Sequence, residues 1–174
     1  MKKNIVPFER SYWVIPNKLL AGEIPSSKDE QIILGKISGL INVGINIIIN
    51  LVEKDEKNFR DEILSSYEDI LNELNPDIKV FNFPIRDLDI PSKELMRTIL
   101  FTIDTELKNK NKVYVHCWGG IGRTGTVIGC FLKEYGYSIF DDPIETIDYL
   151  KRTTSISDRD SPETRAQREF VRNW

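Results

Sequence analysis

Residues 113–125 run Val-Tyr-Val-His-Cys-Trp-Gly-Gly-Ile-Gly-Arg-Thr-Gly, and no other stretch restricts the fold as tightly. Val113 to His116 has the β-branched and aromatic character of a buried strand. Gly119, Gly120 and Gly122 follow, and a helix is predicted from near Arg123. A strand that feeds a glycine loop and then a helix belongs in an open α/β sheet, where ligands sit at the carboxyl ends of the strands. Glycines accept positive φ, so successive backbone N–H groups can turn inward and form an anion nest. The positive end of the helix points at the same spot. Arg123 adds a planar fork that matches two phosphate oxygens.

The rest of the chain alternates strand and helix patterns, which predicts one α/β domain over residues 1–174 with a mainly parallel central sheet flanked by helices. Tyr12 to Ile15 and Leu19 to Ala21 read as short strands around the turn Pro16-Asn17. Ser27 with Glu30 reads as a capping box opening a helix with Ile32, Ile33, Ile37, Leu40 and Ile41 on one face. Ile45 to Leu51 is a strand buried on both faces. Ile63, Leu64, Tyr67, Ile70, Leu71 and Leu74 recur at helical spacing, and Lys79 to Phe83 is another strand. After the loop from Pro84 to Pro91, Ser92 caps a helix carrying Leu95, Ile99, Ile103 and Leu107. Asp142, Pro143 and Glu145 open a further helix, and Ser161-Pro162 opens the last. The first ten residues are expected to be loosely attached.

Composition removes several classes of function. With 24 basic and 27 acidic residues, nothing points to nucleic acid or an anionic membrane as a partner. No stretch approaches the ~20 apolar residues of a membrane span. No apolar signal-peptide core follows Met1-Lys2-Lys3, so the expected location is the cytoplasm; the chain is expected to be a monomer. Two cysteines, Cys117 and Cys130, make no disulfide framework, and with His116 as the one histidine they make no four-ligand zinc site. Adjacent strand side chains face opposite ways, so His116 is not the base for Cys117. Cys130, among Val127, Ile128 and Phe131, reads as core.

Cys117 opens the anion loop, where positive surroundings favour a thiolate nucleophile. The Thr124 hydroxyl can donate to the sulfur. His116 to Thr124 resembles the signature of the protein tyrosine phosphatase superfamily: His-Cys, five residues, Arg, then Thr or Ser. The resemblance covers most of the chain, and its compact size is similar to the dual-specificity branch. It implies a phosphocysteine intermediate on Cys117, no metal or other cofactor, and a phosphate cradle made by Trp118, Gly119, Gly120, Ile121, Gly122 and Arg123. His116 is expected to brace the loop. The implied substrate is a phosphoprotein. A lipid or small metabolite such as an inositol phosphate is the alternative, and a phosphate-binding pseudo-enzyme a third reading. The loop carries no lysine to meet extra phosphates, while Trp118 and Ile121 are candidates for lining its mouth.

Expelling an alkoxide or phenolate needs a proton donor, and without a second histidine a carboxylic acid must serve. The loop after Phe83 resembles the family's acid loop, Pro, two residues, then Asp, which selects Asp87, with Asp89 as rival and Asp158 and Asp160 behind them. Gln167 resembles a late glutamine that positions the hydrolytic water in some members; a polar helix-surface residue is the alternative.

Overall fold

The structure, a computed structural model, describes residues 5–57 and 66–174. Its centre is a five-stranded sheet in the order β1-β2-β5-β3-β4, formed by β1 (Ser11–Ile15), β2 (Leu19–Glu23), β3 (Ile47–Asn50), β4 (Lys79–Asn82) and β5 (Val113–Cys117). Only the hairpin pair β1 and β2 is antiparallel; β2, β5, β3 and β4 run parallel. The mainly parallel α/β architecture is as the sequence predicts. Parallel neighbours place the carboxyl ends of β5, β3 and β4 on one rim. Asn50 pairs with His116 there, and Cys117 is the last residue of β5.

The period of two along each strand divides the interior into two cores. Leu19, Ala21, Ile47, Ile49, Val113, Val115 and Cys117 face α3 (Lys93–Lys108), α4 (Gly122–Glu134), α5 (Pro143–Lys151) and α6 (Arg165–Arg172). Leu20, Ile48 and Tyr114 face α1 (Glu30–Asn42) and α2 (Glu68–Leu74). Cys117 and His116 therefore leave the sheet on opposite faces, as alternation predicts. α4 is buried from Gly122 to Leu132, which suits a helix wedged between the sheet and three other helices.

Three local expectations change, and one falls outside the described residues. Asp29, not Ser27, caps α1: its carboxylate accepts from Gln31 N at 2.9 Å, while Ser27 Oγ, two residues earlier, accepts from Asp29 N. Thr164, not Ser161, caps α6, in a capping box with Gln167, because the Ser161 hydroxyl is engaged elsewhere. Residues 5–10 are not loose: Phe8 packs edge-on against Tyr114, and Trp13 Nε1 donates to the Ile5 carbonyl at 3.0 Å. Ile63 and Leu64 lie outside the described residues, and α2 is described from Glu68.

Candidate active site

The loop after β5 closes over the amino end of α4, and its carbonyls are drawn outward. Trp118 O accepts from Ile24 N at 3.1 Å, Gly119 O from Arg10 Nη2 at 3.2 Å, and Ile121 O from both Gly125 N at 3.0 Å and Ser161 Oγ at 2.8 Å. With the carbonyls held from behind, the N–H groups of residues 118–121 donate to no acceptor among the described residues. Gly120 makes the turn possible: its φ is +73°, and a Cβ there would collide with the backbone of Gly22 and Glu23.

Arg123 is 1% exposed and heavily paired. Glu56 grips both ends of its guanidinium, Oε2 on Nη1 at 2.6 Å and Oε1 on Nη2 at 2.7 Å. The Ile85 carbonyl accepts from Nη1 at 3.0 Å, and Asp87 Oδ1 lies 3.0 Å from Nη2. Burial works against the cation, but Glu56, Cys117 and Asp87 outweigh it, and the arginine's pKa is raised. Nε is buried and has no partner among the described residues. The orphaned donor of a buried cation beside a row of backbone N–H groups with no acceptor among the described residues suits an anion with several acceptor oxygens.

Cys117 is buried at the base of this arrangement. The Thr124 hydroxyl is also buried and unpartnered, so the expected hydrogen bond to the sulfur is not formed here. His116 Nδ1 lies 3.2 Å from the Cys117 carbonyl, and Nε2 lies 2.8 Å from the Tyr67 hydroxyl. Burial pushes the imidazole down to about 3, so it is neutral at physiological pH. A carbonyl only accepts, so Nδ1 carries the hydrogen, and Tyr67 donates to Nε2.

The sequence-predicted residues divide as follows. Cys117, Arg123, Asp87, Thr124 and His116 converge on the loop. Asp89 does not: its carboxylate accepts from its own neighbour Ile90 N and faces solvent. Asp160 pairs with Arg168. Ile121 is buried and lines no mouth, whereas Trp118 walls a cavity of about 650 Å³ with Ile24, Val52, Tyr67 and Pro84. Gln167 is buried, not on the helix surface: its Oε1 accepts from Thr164 N at 3.1 Å, and its Nε2 donates to the Asp89 carbonyl at 3.1 Å. Cys130 lies in the core, and burial pushes its thiol well up. Glu56 escaped sequence reasoning. Its only signal is a place in the polar run Glu53 to Lys57 just past a buried strand, which it shares with Glu53 and Asp55. No group of three or more His, Cys, Asp or Glu among the described residues is arranged to hold a metal.

Residues 8–171 match the family model described as "PTP-SAK: Swiss Army Knife protein, DSP-PTPase phosphatase domain". The chain belongs to this family. It is similar to a putative tyrosine phosphatase, 067L, of Invertebrate iridescent virus 3, with 30% identity over 122 residues, 68% of this chain and 43% of that one. The chain spans less than two thirds of the length of the curated relatives it matches, from 7% to 56%. Among solved structures it is similar to Tk-PTP in its active form, at a TM-score of 0.66 and 20% identity over 99% of this chain and 97% of that one. It is also similar to kinase associated phosphatase, at a TM-score of 0.69 and 22% identity over 93% and 90% of the two chains. At these identities the structures establish the shared fold. The resemblance to the dual-specificity branch is borne out by the family model. Among the described residues, no helix is long and apolar enough to cross a membrane.

Proposed function

We propose that the chain is a cysteine-dependent phosphomonoester hydrolase acting on phosphoproteins, with residues 1–174 working as one phosphatase domain. The observation that carries the reading is the buried, unpartnered Nε of Arg123 beside a loop whose Trp118, Gly119 and Ile121 carbonyls are each held by donors behind it. The phosphoryl group sits on the N–H groups of residues 118–122 and on Arg123. The Cys117 thiolate attacks phosphorus, the S–P bond forms and the P–O ester bond breaks. Asp87 gives its proton to the departing oxygen. Water then attacks the phosphocysteine, Asp87 takes its proton, and the S–P bond breaks to release inorganic phosphate. Asp87 is 60% exposed on its loop and 3.0 Å from Arg123, within reach of a leaving group above the loop. Gln167, whose amide is engaged by Thr164 and Asp89, steadies the acid loop rather than a water.

The cavity beside Trp118 supports a protein substrate over a polyphosphorylated lipid or metabolite. Among the described residues its lining includes the unneutralised acids Glu53, Asp55 and Glu68 against the cation Lys54, while Glu56 is paired with Arg123, and this acidic balance repels clustered phosphates. The test is turnover of a panel of phosphopeptides, inositol phosphates and phospholipids by the purified chain and by Cys117→Ser. Phosphopeptide turnover that disappears in Cys117→Ser, with inorganic phosphate still bound, is the expected result. Preferential turnover of inositol phosphates or phospholipids would reverse the substrate assignment, and near-wild-type rates in Cys117→Ser would remove the nucleophile.

A further inference from the structure

Lys151, the last residue of α5, is 1% exposed, an unusual place for an ammonium. Its Nζ donates to three carbonyls of the following loop, Ile156 at 3.3 Å, Ser157 at 3.0 Å and Arg159 at 2.6 Å, and pairs with Asp148 at 3.1 Å. A compact ammonium with three rotatable donors can gather three carbonyls where a planar guanidinium cannot. The loop so gathered does not end in solvent. Two residues past Arg159, the Ser161 hydroxyl donates to the Ile121 carbonyl at 2.8 Å. Ser161 and Pro162 lie so close to Gly125 that a Cβ there would overlap the Ser161 hydroxyl. Arg168 holds the far side through the Pro162 and Glu163 carbonyls, both at 3.1 Å.

We propose that residues 151–161 form a strap that positions the phosphate loop, with Lys151 as its anchor and Ser161 as its clasp. The Ile121 carbonyl is one of those that must face outward for the N–H groups to face inward. Lys151 touches neither substrate nor Cys117; it fixes the path of the chain that delivers the Ser161 hydroxyl. The inference deepens the phosphatase reading, but its physical content is the geometry of an anion-binding loop.

The test compares the full chain with Lys151→Met, Lys151→Arg, Ser161→Ala and the Lys151→Met/Ser161→Ala double variant, at a temperature where circular dichroism reports all of them folded. Amide hydrogen exchange of peptides covering 117–125, affinity for inorganic phosphate, and kcat and KM on an aryl phosphate are measured. Lys151→Met should speed exchange in 117–125 and weaken phosphate binding, each by roughly 10-fold, the size expected for lost charge-assisted hydrogen bonds. Peptides from β3 should be unaffected. Ser161→Ala should act in the same direction, and the double variant should be no worse than the stronger single one, because both break one linkage. Lys151→Arg, which keeps the charge but cannot gather the three carbonyls, should recover little of the phosphate affinity. A lower unfolding midpoint in Lys151→Met, with loop exchange and phosphate affinity within about twofold of wild type, would reduce Lys151 to a structural residue. Additive effects would break the link to Ser161. Should Lys151→Met not fold, Ser161→Ala decides: unchanged loop exchange and phosphate affinity overturn the strap. Wild-type chain that binds phosphate but hydrolyses no phosphomonoester would sink the phosphatase reading and leave the strap standing.

Discussion

Arg123 and Glu56 show what one residue's surroundings add to a motif. The loop from Cys117 to Arg123 is contiguous, so residue type and spacing expose it in the bare sequence. Glu56 meets Arg123 across 67 positions, and only the parallel packing of β3 beside β5 brings them together. No local pattern marks it, which is why it was not legible. The proposed acid is a different case: the sequence selects Asp87 with Asp89 as rival, and of the two it is Asp87 that lies 3.0 Å from Arg123. Asp87→Asn should cut turnover of a phosphoserine peptide by about 10²–10⁴, the usual worth of a positioned acid. An activated aryl phosphate, whose leaving group is stable as an anion, should suffer much less. Asp89→Asn should leave both rates near wild type. Steady-state rates of the two variants on the two substrates decide this, and the reverse ranking would move the acid to Asp89.

Among the elements, those with strong apolar periodicity are legible in the sequence, and their ends are legible where no tertiary contact competes for the capping side chain. α3 begins at Lys93 behind the Ser92 cap as spacing predicts, because nothing else competes for that hydroxyl. α6 begins later than the Ser161-Pro162 signal, since Ser161 is turned toward Ile121 and Thr164 has the glutamine it needs at the third helical position. Tertiary hydrogen bonding overrode a valid local signal in that case. Gln167 joins two elements: its buried amide closes the cap of α6 and reaches the acid loop through the Asp89 carbonyl. Gln167→Ala should cost about 1 kcal/mol from the lost cap, read by urea unfolding, and should speed amide exchange in residues 86–90. Loss of stability with unchanged exchange in that loop would confine Gln167 to its helix.

Over the whole molecule, the sheet separates two interiors, and the chemistry draws on both. Cys117 belongs to the side of α3 to α6, while His116 is held by Tyr67 on the side of α1 and α2. Because burial lowers His116 from an ordinary 6.5 to about 3, the unfolded chain binds a proton between those values that the folded chain does not. Stability therefore rises with pH across that window and falls on acidification, by up to about 1.4 kcal/mol per pH unit from this group. Urea unfolding at pH 7, 6 and 5 should show a steeper loss for wild type than for His116→Asn. Equal slopes would mean that the imidazole takes up its proton in the folded state. One histidine in 174 residues has a further consequence. Its ring resonances in a nuclear magnetic resonance spectrum need no assignment, and both ring nitrogens are hydrogen-bonded beneath the phosphate loop. The chain thus carries a native spectroscopic probe adjacent to Cys117, able to follow occupancy of the loop without a label.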